Sequence, residues 1–508
     1  MNGLSEKIYL ELPAPTEEDS VSAQERILRA LPGKYSPVKL ELAVLRKLEP
    51  LCREADWKIT LSLAWDGEQF RGVELEPGDT SARHYGIALD LGSTTVVGEL
   101  LDCSSGQVLR RESAYSRQIA YGDDILTRIF YCKDHPEHLE ELRLATVDTI
   151  NDVICRLAEA AGVSALSIPS AVLAGNTTIV HFLLGLDPFC VFSSPYAVVS
   201  DNPGFFPARD LGIQLGGYLY IYPCKANYLG GDIISGVVAS DMTDRQEISV
   251  FLDIGTNGEL VVGNQDFLLC GAGAAGPALE GGVVKTGMRA VDGAVCAVHL
   301  EDGEFFLETI GHKEPIGICG SGIVDMLSVL FLNGWMDFRG KLVEGASPKI
   351  SRREGELCVS YAPGLYFYQS DIDEFIKTKA AAGTMVAYML DISGIPMEEV
   401  DRFFVAGAFG THINKESAVN IGLYPDMERD QIISLGNASL AGARRLLLDR
   451  SILDRIPRIL DLMQYVQFGA VENFLELMRA ASVFPHMDLT RYPTVAKKLA
   501  ERRKGSVS

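Results

Sequence analysis

Two acidic turns are the residues of this chain best suited to chemistry. Tyr85 to Val96 reads YGIALDLGSTTV, and Ser249 to Leu260 reads SVFLDIGTNGEL. Each is an apolar strand, an aspartate, a tight glycine turn with hydroxyl or amide side chains, and then strand again. Gly92 and Gly255 bring backbone N–H groups close to a ligand. Ser93, Thr94, Thr95 and Thr256 can donate to phosphate oxygens, with Asn257 and Gly258 in the same turn. Asp90 and Asp253 would repel phosphate, so a divalent cation between them is expected, and Mg2+ commonly takes one or two carboxylates and several waters. One Asp-x-Gly turn is also an ordinary hairpin. The repetition points further, to a duplicated fold holding a nucleotide phosphate between two lobes.

Other glycine turns follow the same logic. Phe403 to Thr411 is a short apolar strand ending in glycines, where Gly407 and Gly410 could border a flat base. At Ala174-Gly175-Asn176-Thr177-Thr178, Gly175 frees the backbone, and Asn176 and Thr177 lead a helix that Asn176 can cap. Glu280, in the turn Gly276 to Gly281, either faces the nucleotide or caps a helix. Gly320 and Ser321, in Gly317 to Gly322, either meet ribose or phosphate or cap the helix that follows. Asp232 reads as an N-cap or as an indirect partner of the metal. Asp253, Glu259 and Asp90 are the candidate bases for an attacking water, and the sequence does not rank them.

The order of phosphate turn, phosphate turn and adenosine turn resembles the actin/sugar kinase/Hsp70 (ASKHA) superfamily. More narrowly, the chain resembles reductive activators of corrinoid proteins. The resemblance rests on Lys7 to Pro13, Glu76 to Asp79, Ala174 to Thr178, Asp253 to Glu259, Ala274 to Gly281, Gly317 to Gly322, Val405 to Gly410 and Ile421 to Pro425. It implies an α/β, ribonuclease H-like two-lobe ATPase with a small N-terminal α+β domain. It also implies ATP and Mg2+ as ligands, with the segment of Asn176 and Thr177 near the transferred phosphate, and a corrinoid protein as partner, whose inactive Co(II) state is returned to Co(I). The family usually carries a plant-type [2Fe–2S] domain with C-x4-C-x2-C spacing. The ten cysteines here show no such grouping, so no Fe–S cluster is expected in this chain and a separate ferredoxin-type donor is. No hydroxyl stands at Gly271-Ala272-Gly273, where the family frequently has serine or threonine.

These turns need large elements to position them, and 508 residues with 47% apolar content supply them. The expected organisation is a linker at 1–36, a small domain at 37–80, lobe I at 84–245, lobe II at 246–484 and a frayed basic tail at 485–508. The small domain is read as a spacer or as a dimerisation or docking module, which leaves a homodimer open. A net charge of −22 argues against nucleic acid as partner. The N-terminus lacks a signal pattern and no apolar stretch has spanning length, so a cytoplasmic protein without a membrane partner is expected. Two other classes remain open: a small-molecule kinase of the same superfamily, and a nucleotide-sensing interaction module without redox role.

Overall fold

The apolar run before each acidic turn forms a central strand, as its lack of polar alternation requires. The computed structural model describes residues 2–255, 257–274, 276, 284–407, 412–468 and 474–505. The chain divides into two compact units, Met1–Ala239 with Ala438–Asp461 and Ser240–Asn437 with Leu462–Ser508.

The first unit opens with β1 (Ser5–Glu11), α1 (Ala23–Ala30), β2 (Val38–Leu40), α2 (Leu42–Glu54), β3 (Lys58–Trp65) and β4 (Phe70–Pro77). Its four strands make one sheet in the order β1-β3-β4-β2. The sequence reads residues 1–36 as a linker with one short helix. The structure keeps that helix but adds β1, paired antiparallel with β3 from Ser5 opposite Ala64 to Glu11 opposite Lys58. Only Ser5 and Leu10 of this strand are buried, so no apolar alternation marked it. Ser5 Oγ and His84 Nε2 lie 2.8 Å apart in the interior, and burial pushes the His84 imidazole down to about 4.

A six-stranded sheet follows, built from β5 (Tyr85–Leu91), β6 (Thr95–Asp102), β7 (Val108–Tyr115), β8 (Ser170–Gly175), β9 (Gly204–Pro207) and β10 (Tyr218–Ile221). Its order is β7-β6-β5-β8-β10-β9. The accompanying helices are α3 (Ile125–Cys132), α4 (Pro136–Ala160), α5 (Thr177–Leu184), α6 (Phe189–Phe192) and α7 (Gly231–Ser240). α4 packs on β6 and β7, burying Ile150, Val153, Ile154 and Leu157 at helical spacing.

The second unit repeats the plan. β11 (Ile248–Ile254), β12 (Asn257–Gly263) and β13 (Leu268–Ala274) form an antiparallel meander, as β5, β6 and β7 do. Two small sheets are inserted, β14 (Ala294–Glu301), β15 (Glu304–Thr309) and β16 (Gly317–Ile318), then β17 (Ile350–Arg353), β18 (Glu356–Ala362) and β19 (Leu365–Tyr368). Between them runs α8 (Gly320–Leu332), and after them come the long α9 (Gln369–Ser393), β20 (Val400–Ala406), α10 (Lys415–Asn420) and β21 (Ile432–Gly436). β20 and β21 extend the sheet in parallel from β11, as β8 and β10 do from β5. The chain then returns to the first unit as α11 (Ala438–Leu448) and α12 (Ile452–Leu462). It closes in the second unit with β22 (Met463–Tyr465), α13 (Phe474–Ala481) and α14 (Pro493–Gly505). The second large sheet has the order β21-β20-β11-β12-β13-β22.

The basic segment read as a frayed end is instead the docked helix α14. Val495 is fully buried, Thr494 Oγ1 donates to Asp426 Oδ1 at 2.7 Å, and Lys498 pairs with Glu416. Lys498 finds a carboxylate on another helix, which composition alone does not show. Ahead of α14, the buried Lys379 ammonium of α9 donates to the carbonyls of Ala481, Val483 and Pro485 at 2.7, 2.5 and 2.6 Å.

Within the first unit, α11 lies hard against α7. A Cβ on Gly442 would stand 1.9 Å from the Ser235 carbonyl oxygen. Gly442→Ala should therefore cost about 1–3 kcal/mol in a denaturant melt. Gly383→Ala, whose added Cβ meets nothing nearer than 3.8 Å, should cost nothing.

Candidate functional site

Asp90 is the sixth residue of β5 and Asp253 the sixth of β11, and each is partly exposed between buried neighbours. Asp90 faces Val97 across β6 and Ala174 across β8. Asp253 faces Glu259 across β12 and Ala406 across β20. The two aspartates therefore occupy the same place in the repeated sheet.

In the first unit the turn after Asp90 is held by backbone and by one buried cation. The Gly92 N–H donates to Thr95 O at 3.2 Å, and a Cβ at Gly92 would lie 2.8 Å from that oxygen. Ser93 and Thr94 sit in the turn, and Thr95 opens β6. Arg128 on α3 is fully buried and donates from Nη1 to Ser93 O at 2.6 Å and from Nε to Gly122 O at 2.8 Å. The N–H and C=O of a trans peptide point opposite ways, so this bond turns the Thr94 N–H away from Arg128. Sequence reasoning missed Arg128. Its partners are mostly main-chain carbonyls, and the only signal was an arginine on the apolar face of a short helix.

Two further groups meet Asp90. Asp232, the second residue of α7, has its carboxyl pushed up to about 7, by burial first and then by the charge of Asp90. It lies inside the helix rather than at its cap, and its Oδ1 accepts the Ile233 N–H at 3.0 Å. Ser439 of α11 donates from Oγ to Asp90 Oδ1 at 2.8 Å, across 349 positions of sequence. That separation hid it from any local motif.

In the second unit Asp253 and Glu259 stand directly opposite in an antiparallel pair, so their side chains share one face with Cβ atoms about 5 Å apart. The Gly255 N–H donates to Asn257 O at 2.8 Å, closing the tighter of the two turns. Asn257 is exposed, and Gly258 is buried opposite Gly273 of β13. Gly407, just after β20, has φ +97°, and a Cβ there would lie 2.7 Å from Ile254 O and 3.1 Å from Asp253 Oδ1. Gly175, which ends β8, holds the equivalent place in the first unit, where a Cβ would lie 2.9 Å from Leu91 O. The glycine chosen from the sequence as a base-bordering residue is thus also the one that lets backbone close on the aspartate.

Other expected residues have main-chain partners. Asn176 caps α5 by accepting the Thr178 N–H at 3.0 Å, and Thr177 donates to Ala226 O at 3.1 Å. Gly320 opens α8, and Ser321 donates to Cys296 O at 2.8 Å. These side chains are committed to backbone partners, which their capping positions foreshadow. Thr256, Glu280 and Gly410 lie outside the described residues. A cavity beside Gly175 and Gly231 is lined by Thr177, His181, Tyr222 and Cys224. His181 lies 2.8 Å from Thr177 O through Nδ1, accepts the Val199 N–H at Nε2, and is held below its usual pKa by burial. It is a neutral, fully engaged imidazole. All ten cysteines are free, and among the described residues the one group with metal-ligand geometry, His135, Glu137 and His138, contains none of them.

Each unit thus ends its acid-bearing strand with two carboxylates, Asp90 with Asp232 and Asp253 with Glu259. Like charges so placed favour a bound cation or a retained proton. Donors that are all oxygen, beside glycine turns, fit Mg2+ better than a softer metal.

A sheet of this plan, present twice with an aspartate at the same strand end, defines the ASKHA class of fold. The comparisons agree. The model of the ASKHA domain that forms the C-terminal domain of RACo matches residues 247–496, that of the RACo middle region 85–245, and that of the RACo linker region 1–82. The corrinoid activation enzyme RamQ of Eubacterium limosum is 31% identical over 421 residues, 79% of this chain and 70% of that protein. The [Co(II) methylated amine-specific corrinoid protein] reductase of Methanosarcina barkeri is 27% identical over 263 residues, 47% of this chain and 46% of that one. A solved reductive activator for corrinoid,iron-sulfur protein superposes with TM-score 0.89 at 35% identity, covering 97% of this chain and 81% of its own. The chain belongs to the RACo family of reductive activators of corrinoid proteins.

The Asp90–Asp232 pair has a pH signature. Folded Asp232 keeps its proton to about pH 7, whereas the unfolded side chain releases it near 3.8. Between these values the folded state binds more protons, so this group's contribution to stability falls as pH rises. Asp232→Asn, with no charge to develop, should flatten that slope in metal-free melts at about pH 5 and about pH 8. Equal slopes for both proteins would contradict the assignment.

Proposed function

We propose that this chain is an ATP-dependent reactivator of corrinoid proteins. It hydrolyses ATP to drive or gate the one-electron reduction of Co(II) to Co(I) in a methyltransferase system. The observation that carries this reading is family membership combined with the repeated aspartate at both strand ends. The relatives supply the partner class, since one is a corrinoid activation enzyme and another a reductase of a Co(II) corrinoid protein.

The residues divide the work as follows. The turns at Gly92–Thr95 and Gly255–Gly258 offer backbone N–H groups and hydroxyls to phosphate oxygens. Asp90 and Asp253 are the carboxylates proposed to serve the magnesium ion, which when bound offsets phosphate charge during phosphoryl transfer. Gly407 and Gly410 border the base in this reading, and Thr256 and Glu280 complete the nucleotide contacts. Asp253 and Glu259 share one face of the strand pair. One of this pair is the proposed acceptor of the proton that an attacking water gives up. ATP and water thereby give ADP and phosphate, while a separate ferredoxin-type donor supplies the electron to cobalt.

The energetic requirement is modest. A gap of about 200–300 mV for one electron equals about 5–7 kcal/mol, within reach of differential binding of the two cobalt states.

Mixing the protein with a corrinoid protein, a reduced ferredoxin and ATP tests the reading. The Co(I) absorbance should accumulate with ATP and not without it, and free phosphate should be released alongside. Equal Co(I) formation with and without ATP would refute it, as would transfer of phosphate to a small metabolite in place of release.

A further inference from the structure

We infer that Ser439 is the positioning residue of Asp90, holding this carboxylate in one orientation toward the cation of the nucleotide. The inference rests on the reading of Asp90 as a magnesium-serving group and adds a residue from a distant part of the chain.

The geometry has three parts. First, Ser439 Oγ donates to Asp90 Oδ1 at 2.8 Å, and Ser439 itself is only 6% exposed, so water does not readily replace it. A hydrogen bond to an ionised oxygen is of the stronger kind.

Second, the serine does not float. Its own carbonyl accepts the Ser235 hydroxyl at 2.7 Å, and Ser235 is fully buried on α7. One turn further along α11, the Gly442 carbonyl accepts the Tyr222 hydroxyl at 3.0 Å. Gly442 packs so closely on the Ser235 carbonyl that no larger residue fits. Two side-chain bonds and one close backbone approach therefore fix the first turn of α11, and with it the direction of the Ser439 hydroxyl.

Third, the second acid and the restraint share a helix. α7 carries Asp232 and also Ser235, whose hydroxyl holds the Ser439 carbonyl.

Ser439 touches neither substrate nor cation in this scheme and acts through Asp90. Its removal should weaken magnesium binding rather than nucleotide affinity itself. In calorimetric titrations with ATP, Ser439→Ala should need about tenfold more Mg2+ for half-maximal effect, equal to about 1.4 kcal/mol. Binding measured with chelator present should stay unchanged, and the melting temperature should stay near that of the parent. Ser439→Thr, which keeps the hydroxyl, should recover most of the magnesium sensitivity. An unchanged magnesium requirement in Ser439→Ala would overturn the inference. So would an equal loss of ATP binding with and without magnesium, which marks a merely structural role. If the parent protein itself binds ATP without regard to magnesium, the failure lies in the reading of Asp90, and the assignment of Ser439 falls with it.

Discussion

Repulsion between carboxylates at the end of a central strand is the constraint around which this molecule is organised. Asp90 and Asp253 occupy equivalent positions in a repeated sheet, each with a second acid at hand. Such a place is stable only when a cation, a proton or well-aimed donors offset the charge. The surrounding features serve that need. Glycines stand where backbone closes tightly, at Gly92 on the Thr95 carbonyl just after Asp90 and at Gly407 against Asp253. A buried guanidinium at Arg128 braces the first turn from behind, and a clamped helix presents Ser439 to Asp90.

The repeat uses one backbone plan with different side chains. Val97 faces Asp90, whereas Glu259 faces Asp253. The first unit recruits its second acid from α7, at the start of a helix. The second takes it from the neighbouring strand. The strand-borne pair lies on one face of a rigid ladder, which suits a group that must take a proton at a defined position. The helix-borne acid is more deeply desolvated, which suits a group that stays protonated near neutrality.

Much of the fold was legible because it rests on local pattern. The apolar runs at Tyr85 and Ser249, the acidic turns and the helical spacing of α4 all follow from residue periodicity. The candidate site was legible only in part. Asp90 and Asp253 at strand ends, and Gly92 and Gly407 just beyond strands, belong to motifs whose chemistry is written in adjacent residues. Ser439 and Arg128 act through contacts set by tertiary packing, which no neighbouring residue announces. Asn176, Thr177 and Ser321 illustrate the other alternative. Their residue types suggested a ligand, yet their oxygens are engaged with main-chain groups, as small polar residues at helix starts commonly are. Strand β1 and helix α14 escaped for a third reason: polar and charged residues carry them, and their stability comes from partners far along the chain.

Titration calorimetry of ATP into the protein, with and without Mg2+, and with Asp253→Ala in parallel, addresses the central claim directly. The account predicts magnesium-dependent binding in the parent and loss of that dependence in the variant, with the variant still folded. Binding indifferent to magnesium, or a variant that responds to magnesium as the parent does, would contradict it.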